Sequence, residues 1–304
     1  MKYLPFLSGI YSTAPGLVST AKASGRDAQV FQIDDQYDLY RRNKDACRNE
    51  NIHKYYCEQR LHTETIQCIN QYLAKQLSIE YPDDMIVALN DHVFTNRISQ
   101  EQFTWNDDWV TIDHPRYTSL FDALCCQVQE DIAIFQLDEK ADWLSAVHLC
   151  SPNHWAPEDK IGKPFPDVHA PVPGMEKTLE QYRRMLEGVV QAKSPFTRFA
   201  WGIATDTRLN HHPQAPSHSN EAAWQGREHL TSNEWYIRVE RQNLIGFSHV
   251  NALLFTVRTY FYKVDELSKD EKYFLRAALR SMSKEALAYK GLTGSIDRID
   301  NYLK

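Results

Sequence analysis

Several chemical signatures are absent from this 304-residue sequence, and each absence excludes a class of protein. No G-x-x-x-x-G-K-[ST], G-x-G-x-x-G or G-x-S-x-G pattern occurs, so there is no case for a nucleotide-binding loop or a serine hydrolase. No apolar stretch is long enough to span a bilayer. Residues 1–6 carry one positive charge and then a proline, and lack the apolar centre of a signal peptide. We therefore expect a cytoplasmic protein that is not embedded in a membrane.

The sequence also has no net positive charge and no cysteines in C-x-x-C spacing. The formal net charge is −6, and nucleic-acid binding needs a positive face, so nucleic acid is not expected as a main partner. This net charge is still compatible with a local basic pocket that binds a few anionic groups. None of the six cysteines forms a C-x-x-C pair, so we expect free thiols in a reducing compartment. They are Cys47, Cys57, Cys68, Cys125, Cys126 and Cys150.

Aromatic residues, in contrast, are abundant. They make up 12% of the chain, with 16 Tyr and 7 Trp, which suits either a pocket lined by flat side chains or simply an aromatic core. The length is ample for a buried core and fits one large domain or two small ones. A small-molecule site therefore needs support from particular residues rather than from composition.

The hydrophobic pattern predicts an α+β protein. Residues 1–35 are irregular and read as a segment that wraps over a surface, and helical periodicity runs over 37–79 until Pro82 ends it. Strands are predicted at 85–89, 131–137, 142–149, 198–203, 235–241 and 252–261. Helices are predicted at 119–127, at 175–192, and from the Ser268–Glu271 capping box through Met282. A polar lid loop is predicted at 210–232.

This order predicts an antiparallel β-sheet with helices around it. Residues 157–171 resemble the PAS signature, in which an acidic stretch leads into Ile-Gly-Lys-Pro. The predicted fold is therefore a PAS-like antiparallel sheet with surrounding helices, a helical N-terminal extension and a C-terminal helix. We expect residues 1–84 to form the wrapping segment and long helix and residues 85–304 the PAS-like domain, joined in one continuous globular unit.

Two histidines in or beside the proline-rich segment 150–174 are candidate metal ligands. A neutral imidazole presents the nitrogen lone pair that haem iron uses as an axial ligand. His169 lies two residues before Pro171, whose ring fixes the backbone direction, in a loop that leads into a helix. His148 ends a predicted strand and is the second choice. The plainer interpretation of either histidine is a hydrogen-bonded loop or core residue.

Charged residues alternate along the two last predicted strands. Because alternate side chains share a face, Arg238 and Glu240 point one way and Arg241 the other. On the next strand Arg258 and Tyr260 share a face. Arginine suits planar carboxylates, so Arg238 or Arg258 is a candidate for a propionate or substrate pocket. The alternative is an arginine–glutamate ion pair on the sheet surface.

A small ammonium substrate would need a carboxylate and an aromatic face. Glu240 with Tyr236 or Tyr260 offers this combination, and we take Glu240 and Tyr260 as candidate catalytic residues. A purely structural pairing of Glu240 with an arginine is the competing interpretation.

Three ordered stretches together resemble one family. They are His148-Leu-Cys-Ser-Pro-Asn-His-Trp155 continuing to Ile161-Gly-Lys-Pro164, then Val168-His-Ala-Pro-Val-Pro-Gly174, then Arg238-Val-Glu-Arg-Gln242 with Leu254-Phe-Thr-Val-Arg-Thr-Tyr260. In these stretches the chain resembles the haem-dependent oxidative N-demethylases, whose haem subunit has a PAS-like fold. The stretches span about half of the chain.

The resemblance implies haem b, molecular oxygen, and electrons from a separate reductase that carries FMN and a 2Fe–2S cluster. The implied reaction converts dimethylamine, or a similar secondary amine, into a primary amine and formaldehyde. His169, with His148 as alternative, is then the expected iron ligand. The other expected cofactor-binding residues are Arg238, Arg241, Arg258 and Lys163.

Two other functions compete with this expectation. A non-catalytic haem sensor is one, because PAS-like folds sense ligands, although the C-terminal helix has no signalling extension in heptads. A haem-free protein that binds a small molecule is the other, because fold does not determine function. The sequence is compatible with a homo-oligomer, with more than one small amine and with more than one reductase.

Overall fold

The computed structural model describes residues 2–217, 219–220, 224–225, 227, 232 and 234–304. The strands are β1 (Val18–Ser19), β2 (Tyr56–Glu58), β3 (Met85–Ala88), β4 (Val93–Asn96), β5 (Glu101–Trp105), β6 (Ile112–Asp113), β7 (Asp131–Leu137), β8 (Asp142–His148), β9 (Phe196–Ala204), β10 (Tyr236–Phe247) and β11 (Ala252–Lys263). The α-helices are α1 (Tyr37–Tyr55), α2 (Thr63–Glu80), α3 (Leu120–Cys125), α4 (Phe165–His169), α5 (Glu176–Glu180), α6 (Tyr182–Val190), α7 (Lys269–Arg280), α8 (Lys284–Tyr289) and α9 (Ile296–Tyr302).

Two antiparallel sheets organise these elements. The larger has seven strands in the order β1-β9-β10-β11-β7-β8-β2, and the smaller has four in the order β3-β4-β5-β6. The predicted hairpin of β7 and β8 is present, and β10 pairs with β11 along its whole length. Mixed helix and antiparallel sheet confirm the α+β class.

The predicted single helix over 37–79 is wrong. The backbone leaves the helical region at Asn51 (φ −172°, ψ 103°), and Tyr56–Glu58 then pairs as a strand with β8. Aromatic residues at 55 and 56 favour an extended backbone against a sheet edge, and this pairing outweighs the helical periodicity. The predicted helix over 175–192 is likewise two helices, α5 and α6, interrupted at Gln181.

The C-terminal helix begins as predicted. The Ser268 side chain accepts a hydrogen bond from the Glu271 amide, and the Glu271 side chain accepts one from the Ser268 amide, which completes the capping box of α7. Two further short helices, α8 and α9, follow it. α8 carries Tyr289, and Lys290 follows directly, so both reach the site described below.

The N-terminal segment is built into the main sheet. β1 pairs with β9 and forms one edge of the sheet, and β2 pairs with β8 and forms the opposite edge. Residues 27–34 lie over one sheet face, where their carbonyl oxygens and the Asp34 carboxylate accept hydrogen bonds from Arg241 and Arg258. The other face of the sheet is left for α4, α6 and the loop before them.

The predicted lid loop at 210–232 lies partly in the described chain, and His218 lies outside the described residues. His211 and His212 are buried, at 2% and 1% exposure, although their sequence context predicts a polar loop. Among the residues that the structure describes, no helix combines the length and apolar character that a membrane span needs.

Candidate functional site

A cavity of about 240 Å³ lies between one face of the main sheet and α4 to α6. Its floor is apolar because alternate residues of β7, β8, β10 and β11 point to this face. These floor residues are Ala133, Phe135, Leu144, Val147, Leu244, Leu253, Phe255 and Val257. N-terminal residues 11–13, 15 and 17 line another side. The cavity thus has the apolar lining of a small-molecule site.

Helix α4 carries His169 into the cavity wall. Asp142, at the start of β8, accepts a hydrogen bond from the Phe165 amide at 2.6 Å, and this contact holds the start of α4 to the sheet. Gly162 (φ 76°) donates its amide to the Leu144 carbonyl at 2.8 Å and so fastens the preceding turn to the same strand. His169 therefore lies at the end of a short anchored helix, and not in a loop as the sequence predicts.

The His169 ring is held in one orientation. Its Nδ1 lies 2.9 Å from the Phe165 carbonyl oxygen, which can only accept, so Nδ1 carries the proton and donates. The ring also stacks on Phe165 with centroids 3.9 Å apart. The Phe165 ring is itself stacked on Tyr182 at 5.7 Å. This hydrogen bond leaves the Nε2 lone pair available to a ligand in the cavity, as in histidines that bind metals.

Burial keeps His169 neutral. It lowers the pKa of His169 to about 4, against a smaller opposite effect of the Phe165 carbonyl, and the charges of Lys160 and Arg198 lower the pKa further. At neutral pH the imidazole is therefore neutral, with no proton on Nε2, which is the form that coordinates iron.

Two cations line the cavity near this histidine without an ion-pair partner among the described residues. Arg198 extends from β9, and its Nε is buried and makes no hydrogen bond. Lys160 lies over the Trp155 ring, 4.3 Å from its centroid. Burial lowers the pKa of Lys160 to about 8, and Glu240 partly offsets the effect. Unpaired, partly desolvated cations of this kind favour an anionic ligand.

Glu240 provides the carboxylate at the polar end of the cavity. It is 17% exposed and accepts hydrogen bonds from Asn153 at 3.2 Å and from Gln242 at 3.0 Å. Its nearest guanidinium nitrogen is Nε of Arg238, at 3.7 Å. The predicted common face of Arg238 and Glu240 is the face that looks into the site, and Gln242 lies on the same face.

A second cavity of about 180 Å³, which we call the polar annex, adjoins the first. The two cavities share Asn153, Tyr289 and Lys290 in their walls. Arg238 lines the annex, is 3% exposed, and donates to the carbonyl oxygens of Leu209 and Ser151 at 3.2 and 2.6 Å. The structure thus brings Arg238 close to Glu240 but into the annex rather than the main cavity.

Three predicted residues lie on the opposite sheet face. Arg241 and Arg258 face each other across β10 and β11, and Tyr260 lies opposite Val239 on the same side. Both guanidinium groups are hydrogen bonded to the N-terminal segment, so neither is available to a ligand in the cavity. The sheet also separates Tyr260 from Glu240, which removes the predicted pairing of these two side chains around an ammonium group.

Lys163 and His148 also lie away from the cavity. Lys163 is exposed, and its carbonyl oxygen accepts from the Leu144 amide. His148 is fully buried on the other sheet face, where its Nε2 lies 3.1 Å from the Asp122 carboxylate. Proximity to Cys150 and the bond to Asp122 raise the pKa of His148 well above its ordinary value, against the opposing effect of burial.

Asp122, Cys126 and His148 are close enough together to suggest a metal site, with their donor atoms within 4.8 Å of one another. The Asp122 carboxylate is already occupied, however. It is paired with the Arg48 guanidinium and accepts from the Thr118 amide at 2.9 Å in addition to His148. The arrangement is that of a buried ion-pair network that holds α3 to β8.

The sequence interpretation missed Arg198, Lys160 and Lys290. For Arg198, the sequence signal was the alternation of side-chain directions along the predicted strand 198–203. Lys160 and Lys290 sit in a turn and after a short helix, and nothing local marks them. All three meet at the cavity because β9, the loop before α4 and the end of α8 converge there.

A family model described as haem-dependent oxidative N-demethylase, alpha subunit-like, matches residues 22–299. The match covers most of the chain, so the chain belongs to this family. Membership indicates a haem-dependent oxidative N-demethylase, which is an oxidoreductase. The description as an alpha subunit implies a partner subunit or a reductase.

Proposed function

We propose that this chain binds haem b in the main cavity through His169 and catalyses oxidative N-demethylation of a small secondary amine of the dimethylamine type. The observation that carries this proposal is the state of His169. Its Nδ1 proton is committed to a backbone carbonyl, its pKa is low, and the described residues leave its Nε2 free beside an apolar cavity. A histidine that is to hold haem iron would need the same combination.

The chemical character of the residues around the cavity suits haem. The apolar floor suits the macrocycle, and the unpaired cations Arg198 and Lys160 suit its two propionates. These two residues take the place of Arg241, Arg258 and Lys163, which were predicted to bind the cofactor but point elsewhere. We further propose that the main sheet is of the PAS type and that the protein acts in the cytoplasm.

Bound haem would supply the activation of oxygen, which the protein's own groups cannot perform. The protein's own residues would bind the haem and the amine. His169 would hold the iron, the floor residues would exclude water, and Glu240 would receive a substituted ammonium group. The second carboxylate in the wall, Asp131, already accepts hydrogen bonds from the Cys150 and Ser151 amides at 2.8 Å each. The aromatic ring of Tyr289 lines the same cavity and lies near enough to Glu240 for the Glu240 charge to raise the pKa of Tyr289, in addition to the larger effect of burial.

The proposed reaction needs a source of electrons. Dimethylamine, one O2, two electrons and two protons give methylamine, formaldehyde and water, so one oxygen atom ends in formaldehyde and the other in water. A separate reductase with FMN and a 2Fe–2S cluster would supply the electrons, because the sequence has neither a nucleotide-binding loop nor a C-x-x-C pair.

The test is to purify the chain, load it with haem, and titrate it with dimethylammonium while recording the absorption spectrum. We expect a haem band that shifts with amine. With a chemical reductant and O2, formaldehyde should then form in proportion to the amine consumed. A haem band that does not respond to amine, with no formaldehyde, would favour a sensor. Failure to take up haem would refute the proposal.

A further inference from the structure

The polar annex contains more positive charge than its surroundings neutralise. Arg227, Arg238 and Lys290 line it, and the described lining residues include no carboxylate. Nε of Arg238 is buried without a hydrogen bond, and its ion-pair partner is Glu240, 3.7 Å away at the junction with the main cavity, so one carboxylate faces three cations. Lys290 forms no ion pair within the part of the chain that the structure describes. A desolvated group of cations is costly without an anion, so the annex is built for a negatively charged ligand group.

The remaining polar groups of the annex support this reading. His211 lies between the Asp206 carboxylate, 3.0 Å from its Nε2, and the Arg238 guanidinium, 3.2 Å from its Nδ1. The His211 ring is therefore a neutral link that holds Arg238 in place. Gly202 lies beneath Lys290, and a Cβ there would approach the lysine Cδ to 3.6 Å. The lysine stem thus packs over Gly202, and its ammonium group lies beside this glycine in the wall of the annex.

The annex opens beside Glu240. Asn153 lines both cavities and donates to Glu240 at 3.2 Å, so it marks the junction between them. A ligand at this junction meets a carboxylate on the side of the main cavity and cations on the side of the annex. Such a pair of opposite charges, side by side, matches a small zwitterion better than a simple ammonium ion.

We propose that the amine substrate carries a carboxylate: the annex binds that carboxylate through Arg227 and Lys290, which lie beside the Arg238 guanidinium, while Glu240 binds the N-methylammonium group. The substrate class is then that of N-methyl amino acids. The inference rests on the proposed N-demethylase function and narrows its substrate. It assigns the two haem propionates to Arg198 and Lys160, which line the main cavity only.

The test is calorimetric titration of haem-loaded protein with N-methylglycine, dimethylammonium and acetate. We expect N-methylglycine to bind about ten-fold more tightly than dimethylammonium, because charge-assisted hydrogen bonds of a carboxylate are worth at least that factor. Arg227→Gln and Lys290→Met should each weaken N-methylglycine by about ten-fold and leave dimethylammonium within about two-fold. Lys290→Arg should retain the affinity. Lys284→Met, on the exposed start of α8, is the matched control.

Three results would overturn the inference. The first is equal affinity for the zwitterion and dimethylammonium, and the second is equal weakening of both ligands by the variants. The third is acetate binding in haem-free protein that disappears on loading with haem, which would make the annex a propionate site. Loss of haem uptake would defeat the proposed function instead, and N-methylglycine and acetate titrations of the haem-free variants would still decide whether the annex binds carboxylates.

Discussion

Arg241 and Arg258 lie directly opposite each other on β10 and β11, on the sheet face that looks away from the cavity. Each is 1% exposed. Arg241 donates to the carbonyl oxygens of Asp27 and Gln29 at 3.1 and 2.8 Å, and Arg258 pairs with Asp34 at 3.0 Å. The two arginines therefore hold the N-terminal segment onto the sheet.

Replacing either arginine by methionine should destabilise the fold without changing haem binding. Arg241→Met removes the guanidinium donor from the partly buried carbonyl oxygens of Asp27 and Gln29, and Arg258→Met leaves Asp34 with Arg26 as its remaining ion-pair partner. We expect each change to lower the free energy of unfolding by about 2–4 kcal/mol. Urea denaturation measures this loss, and haem titration of the folded variants should give the wild-type affinity. Weaker haem binding at unchanged stability would instead restore these residues to the cofactor site.

The Asp122–His148 pair predicts a pH dependence of stability. The pKa of His148 is raised in the folded chain, so the pair's contribution is complete below the unfolded histidine pKa of about 6.5 and declines as pH rises above it. His148→Gln should remove this decline. The measurement is urea denaturation of both proteins between pH 6 and 9. Parallel curves for the two proteins would show that His148 is not protonated in the fold.

Lys160 predicts a pH dependence of haem binding. Because burial lowers the pKa of this lysine to about 8 in the haem-free chain, the ammonium group loses its proton above that pH and no longer attracts a propionate. Haem affinity should fall above pH 8 in the wild type and hold in Lys160→Arg. As a control, Arg198→Gln should weaken haem binding about ten-fold at every pH. A wild-type affinity that is flat to pH 10 would remove Lys160 from the site.

Glu240→Gln should separate amine binding from haem binding. The substitution keeps the shape and the hydrogen bond from Asn153 but removes the charge that receives the ammonium group. We expect amine affinity to fall about ten-fold or more, with the haem spectrum of the amine-free protein unchanged. The amine-dependent spectral shift measures this. Unchanged amine affinity and turnover in Glu240→Gln would show that Glu240 only pairs with its neighbours.

The sequence correctly predicted which residues share a face of the sheet. It did not predict which of the two faces carries the site. Pleat alternation correctly put Arg238 and Glu240 on one side of β10 and Arg241 on the other. The face that carries the cavity depends on what covers the sheet. Residues 27–34, some two hundred positions earlier in the chain, cover the Arg241 face, and no local pattern reports such a contact.

The same difference between local pattern and tertiary position explains why the sequence alone did not decide between His148 and His169. Both lie in stretches that point to the family, and both have a neighbourhood suited to a fixed imidazole. The strand that ends at His148 turns this side chain towards Asp122, whereas α4 turns His169 towards the cavity. The direction follows from strand register and from the Asp142 contact that fastens α4, and both are tertiary features.

The assignment of His169 as the iron ligand is the central claim, and haem titration of His169→Gly with and without imidazole tests it most directly. We predict that the haem band of the wild type is lost in His169→Gly and returns when free imidazole fills the space that the side chain leaves. In His148→Ala the folded protein should keep the band. A wild-type spectrum in His169→Gly without imidazole, or loss of the band in folded His148→Ala alone, would contradict the account.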